Sequence, residues 1–93
     1  MGAVLPVTSV FLSVTKSADK QYLKWNIAGI EDGKISIERS LNGIQFNTIN
    51  EQKFVAGSGY MDAENIVSNK LYYRLEIIDG NGKITYTHTV VIT

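Results

Sequence analysis

The sequence predicts an all-β fold, a seven-stranded antiparallel Ig-like β-sandwich, and three observations carry that prediction. Short segments alternate apolar and polar residues with the period of two that a half-buried strand requires. Glycine and asparagine turns recur about every ten residues, with no helical period between them. The third is Lys70 to Lys83, which reads as strand, tight turn and strand. Tyr73, Leu75 and Ile77 fall on one side, Tyr72, Arg74 and Glu76 on the other, and Asp79-Gly80-Asn81-Gly82 supplies residues that tolerate positive φ.

The elements follow in order. Pro6 lacks a backbone donor and suits the start of an edge strand. After it, Val10, Leu12 and Val14 alternate with Phe11, Ser13 and Thr15. Leu23, Trp25 and Ile27 alternate with Tyr22, Lys24 and Asn26 in a second strand. Glu31-Asp32-Gly33 turns the chain, and Ile35 and Ile37 mark a third strand. Asn42-Gly43 is a short-turn signal leading to Ile44, Phe46 and Ile49. Phe46 and Ile49 stand three apart, so the fourth strand bulges or ends early. Phe54 to Ser58 is a crossing segment, and Tyr60 to Ala63 a short fifth strand. The hairpin is the sixth and seventh, with Ile84, Tyr86, Val90 and Ile92 resuming the alternation. Leu23, Trp25, Ile37, Phe46, Tyr73, Leu75 and Ile77 form the expected core.

Size and composition narrow the function. The 93 residues make one domain, with residues 1–4 read as an added start or linker and residues 5–93 as the sandwich. Nine basic and nine acidic residues cancel, and no cluster of Lys or Arg offers nucleic acid a footprint. The chain has no cysteine, so thiolate metal sites and disulfides are excluded. No apolar run is long enough to insert in a membrane, and the first residues lack the pattern of a secretion signal. The expected state of the isolated domain is monomeric.

Few residues invite chemistry, and we expect no catalytic residues, no metal ligands and no cofactor. His88 is the single histidine and would have to serve any triad, yet no nucleophile-elbow motif accompanies it. It reads as a strand residue on the side of Tyr86 and Val90. Asp79 and Asn81, with Asp62 or Glu64 nearby, resemble part of a calcium loop but lack its twelve-residue ligand pattern, so a hairpin turn is the better reading. Thr85, Thr87, Thr89 and Thr93 suit a solvent-facing edge. Phe11, Tyr22 and Tyr72 fall on outward faces and are the candidate contact surface. Arg74 and Glu76 also point outward, within reach of Glu38 or Arg39.

Leu5-Pro6-Val7, Leu23-Lys24-Trp25, Ile37-Glu38-Arg39-Ser40 with Asn42-Gly43 and Phe46, Tyr60 with Asp62, and Tyr72-Tyr73-Arg74-Leu75 with Asp79 follow one another in a specific order. That order resembles a fibronectin type III-like module of large secreted Bacteroidetes-type bacterial proteins, often adjacent to a type IX secretion sorting domain. Asn42 and Asn81 stand where the family pattern has Asp, and both exchanges keep the turn chemistry. The resemblance implies a secreted or cell-surface location and a non-catalytic spacer or accessory role, with neighbouring domains of a parent chain as partners. Tyr73 resembles the tyrosine corner of that fold, whose hydroxyl would bond backbone near Ile66 to Asn69. The alternative is a carbohydrate-binding accessory module attached to a polysaccharide-degrading enzyme. It requires at least two exposed aromatic rings on one plane among Phe11, Tyr22, Tyr72 and Tyr86.

Overall fold

A computed structural model describes residues 9–93, apart from 19, 30, 31, 56, 65 and 67. Leu5-Pro6-Val7, the edge role of Pro6, the boundary at residue 4 and the Glu31 part of a turn lie outside the described residues. The strands are β1 (Ser9–Ser17), β2 (Lys20–Ala28), β3 (Gly33–Ser40), β4 (Asn47–Lys53), β5 (Gly57–Asp62), β6 (Leu71–Asp79), β7 (Ile84–Tyr86) and β8 (Val90–Ile92). They form two antiparallel sheets. One has the order β1-β2-β5; the other has the order β4-β3-β6-β7, with β8 also paired to β6.

The period-two pattern explains how the sheets pack. β2 alternates between exposed and buried residues along its whole length, and β6 buries every second residue from Leu71 to Ile77. Leu12, Leu23, Trp25 and Ile27 of the first sheet meet Ile35, Ile37, Leu71, Tyr73, Leu75 and Ile77 of the second in one core. Burying such side chains contributes about 1.5–3 kcal/mol each. The predicted core positions Leu23, Trp25, Ile37, Tyr73, Leu75 and Ile77 are therefore all in place.

Eight strands replace the expected seven because the last one is interrupted by a bulge. Ile78, Ile77 and Glu76 pair with Ile84, Thr85 and Tyr86, and Tyr73, Tyr72 and Leu71 pair with Val90, Val91 and Ile92. Two residues of β6 thus face three residues, 87–89, on the other side. The Thr87 N–H donates to Leu75 O at 3.0 Å, and the Leu75 N–H donates to Thr87 Oγ1 at 2.9 Å. The extra residue reverses the alternation. Ile84 and Tyr86 point outward and are exposed, while Val90 and Ile92 turn inward onto the core. The expectation that these four share a face is corrected, as is the solvent-facing threonine row. Thr87 is buried and Thr85 half-buried.

Three further boundaries differ from the sequence reading. Ser40 Oγ accepts from Asn42 N and Gly43 N, and Asn42 Oδ1 accepts from Ile44 N and Gln45 N, which draws the Asn42-Gly43 turn out to residue 45. β4 therefore begins only at Asn47. Phe46 lies just before it, half-buried under the Arg74 guanidinium instead of in the core. The predicted irregularity of β4 is present, since the register with β3 shifts between Ile37 and Glu38 and leaves Ile49 as the extra residue. β5 begins at Gly57, inside the supposed crossing segment.

Thr93 and Ile92 line one small hollow with Lys16 and Ala18, beside the end of β1. Ser9, at the start of that nine-residue strand, is therefore roughly 25 Å away at the opposite end.

Candidate functional site

The outer face of the β1-β2-β5 sheet is open and carries aromatic, hydroxyl, amide and lysine side chains. Register sets its three rows. Phe11 lies opposite Asn26, which lies opposite Gly57; Ser13, Lys24 and Gly59 form the middle row; Thr15, Tyr22 and Met61 form the third. Alternation directs all of these outward because Leu12, Leu23, Trp25 and Tyr60 are in the opposite phase. Phe11 is 59% exposed and Tyr22 42%, so neither ring is committed to the core.

Two hollows flank the middle row. One, of about 540 Å³, is lined by Phe11, Ser13, Lys24, Asn26, Gly57 and Gly59. The other, of about 480 Å³, is lined by Thr15, Tyr22, Lys24, Gly59 and Met61. They exist because β5 carries no side chain at two successive outward positions. At Gly59 the omission is enforced by the backbone: a Cβ there would come 2.7 Å from Leu23 O.

The predicted contact residues do not come together. Phe11 and Tyr22 share this face, whereas Tyr72 lies on the outer face of the other sheet. There the Tyr72 ring packs on the Asn42-Gly43 turn, with ring carbons 3.0 Å from where a Gly43 Cβ would stand. Tyr86 shares that second face. Arg74 lies between the rings of Phe46 and Tyr86, 4.0 and 4.4 Å from their centroids, and its Nε donates to Glu38 Oε1 at 2.6 Å. The Tyr86 hydroxyl donates to Glu76 Oε2 at 2.9 Å, and that bond leads the causes raising its pKa. On this face Tyr72, Arg74 and Glu76 are engaged by neighbouring groups, while Ile84, Tyr86 and Val91 stay exposed.

Arg39 is a residue the sequence reading misplaced. It shares the phase of Ile35 and Ile37, points inward, and puts Nη1 2.7 Å from Asp62 Oδ2 on the opposite sheet. Nη2 pairs with Glu64. The Tyr73 hydroxyl donates to the same Asp62 Oδ2 at 2.6 Å and lies 3.3 Å from Gln21 Oε1. The tyrosine-corner expectation is corrected, because an acidic side chain offers this hydroxyl a stronger acceptor than backbone would. Burial first, and then Asp62, push the Tyr73 phenol well above the usual tyrosine range. The inward phase of position 39 was the available signal, and the arginine side chain masked it.

His88 sits exposed in the bulge between β7 and β8, not mid-strand, with Nε2 3.1 Å from Leu12 O across the sandwich. Asp79 Oδ1 accepts from Asn81 N and Lys83 N, each at 2.9 Å, as a turn carboxylate does. Among the described residues no group of three or more His, Asp or Glu could hold a metal ion.

No protein-family model and no curated protein matches the chain. Solved structures do. Pectate lyase PelI from Erwinia chrysanthemi, in complex with tetragalacturonic acid, aligns with a TM-score of 0.75 at 16% identity, over 90% of this chain and 28% of that one. Pectate lyase Pel3 from Pectobacterium carotovorum aligns with a TM-score of 0.72 at 20% identity, over 90% of this chain and 26% of that one. At these identities the likeness is one of fold, and the chain spans about a quarter of the length of either lyase.

Proposed function

We propose that this chain is a non-catalytic, fibronectin type III-like accessory module of a larger secreted or cell-surface bacterial protein that acts on polysaccharide. The observation that carries the reading is the alignment of nearly the whole chain with about a quarter of two pectate lyases, at TM-scores of 0.75 and 0.72. The aligned part has the size of one small domain and leaves most of either lyase outside it, which supports an accessory role. Support for the finer fold assignment comes from the partition β1-β2-β5 against β4-β3-β6-β7, which makes the chain cross between sheets after β2, β4 and β5. Secretion, and export by the type IX route, rest on the ordered motifs of the sequence.

Expression of the parent protein with and without this module tests the reading. Turnover of short soluble oligosaccharides is expected to be the same for both, and the isolated module is expected to have none. Polysaccharide cleavage by the isolated module would overturn it. A second reading, contact with glycan, is favoured by Phe11 and Tyr22 standing exposed on one sheet face.

A further inference from the structure

We propose that the outer face of the β1-β2-β5 sheet binds an acidic oligosaccharide, with Lys24 taking a sugar carboxylate and the Phe11 and Tyr22 rings carrying sugar rings to either side. The proposal deepens the glycan-contact reading and rests on it.

Shape is the first argument. The two hollows share Lys24 and Gly59, so they form one trough with a lysine at its middle. Thr15 lies opposite Tyr22 and four residues along β1 from Phe11, which separates the aromatic side chains by roughly 14 Å along the sheet. That spacing suits an extended chain of several sugars, each aromatic stacking on the C–H face of a different ring. Gly57 and Gly59 leave the β5 side of the trough bare, so a ligand can lie against Asn26, Lys24 and Tyr22 without displacing a side chain.

Polarity is the second. Ser13, Asn26 and Thr15 stand between and beside the aromatics and offer hydroxyl and amide groups to sugar hydroxyls. A protein-binding patch would instead gather its apolar residues into a continuous centre.

Charge is the third, and it selects the class. Lys20 and Lys24 both project outward from β2, and no described outward residue of β1, β2 or β5 is a carboxylate. Asp62 points inward and is buried. On the other sheet's outer surface the carboxylates have cations beside them, Lys34 with Glu51 and Arg74 with Glu38. With two lysines and no carboxylate among its described outward residues, this trough is cationic. A uronate chain is complementary to it in a way that a neutral glucan is not.

Amide-resolved NMR titration of the 93-residue protein with an oligogalacturonate, and separately with a neutral cello-oligosaccharide, decides the matter. Expected are shifts clustered at Phe11, Ser13, Tyr22, Lys24, Gly57 and Gly59 with the acidic chain and none with the neutral one. Affinity should fall about tenfold in Lys24→Gln, as expected for one charge-assisted contact, and further in Phe11→Ala. Both positions are exposed, so the unperturbed remainder of each spectrum verifies folding. Equal response to the neutral chain would overturn the acidic class. Shifts confined to the Arg74 face, or none with either sugar, would overturn the site. Neither result touches the module reading, which the deletion experiment decides by itself.

Discussion

Arg39 and Asp62 join the two sheets from inside the sandwich, with Nη1 2.7 Å from Oδ2 and the carboxylate almost wholly removed from solvent. Asp62 is satisfied from three directions, by Arg39, by the Tyr73 hydroxyl and by the Glu64 N–H. A buried charge held this way is costly to orphan. Arg39→Met should lower stability by about 3–5 kcal/mol, because the aspartate stays behind without its cation. Urea unfolding measures it, and the double variant Arg39→Met with Asp62→Asn should recover a large part of the loss. A loss under about 1 kcal/mol would show that the pair behaves as a solvated surface bridge.

Tyr73 makes that cluster sensitive to alkali. Its folded-state pKa lies above the unfolded value of about 10. Stability from this group is fully present below pH 10 and declines as pH rises beyond it, since the unfolded chain releases the phenolic proton first. Urea midpoints followed from pH 8 to about pH 11 should fall more shallowly in Tyr73→Phe than in the parent protein. Parallel slopes would contradict the assignment.

Thr87 holds the bulge in the last strand through its side chain. Thr87→Val keeps the shape but removes the hydroxyl that accepts from the buried Leu75 N–H, at an expected cost of about 1–3 kcal/mol. Thr87→Ser should retain most of the stability. Hydrogen exchange at Leu75 reports the effect directly, accelerating in the valine variant alone.

The stacking of Arg74 between Phe46 and Tyr86 should appear as coupling. A double-mutant cycle of Phe46→Leu and Arg74→Met is expected to give about 0.5–1 kcal/mol, the range for a partly exposed cation–π pair. Additive effects would mean that the geometry contributes nothing beyond contact area.

Alternation made the central strands legible. Leu23, Trp25, Leu75 and Ile77 occupy the phases that their spacing implies, because a half-buried strand tolerates only one register. Legibility failed wherever a side chain replaced a backbone partner. Ser40 and Asn42 extend a turn that looked short, Thr87 inserts a bulge that reads as plain alternation, and Arg39 enters a core its charge seemed to forbid. The trough was half visible. Phe11 and Tyr22 could be read as outward, but their separation from Tyr72 depends on which strands share a sheet, and short-range pattern does not carry that.

The placement of Ser9 and Thr93 at opposite ends of the sandwich has a mechanical meaning. Lys16, late in β1, and Ile92, late in β8, line the same hollow, so the two strands run in the same direction. Tension across the pair therefore pulls β1 and β8 past each other lengthwise. The long β1-β2 ladder and the three-pair β6-β8 ladder meet that load along the strand axis, so the hydrogen bonds of each share it at once instead of opening one by one like a zip. In this geometry the sandwich resists stretching along its length.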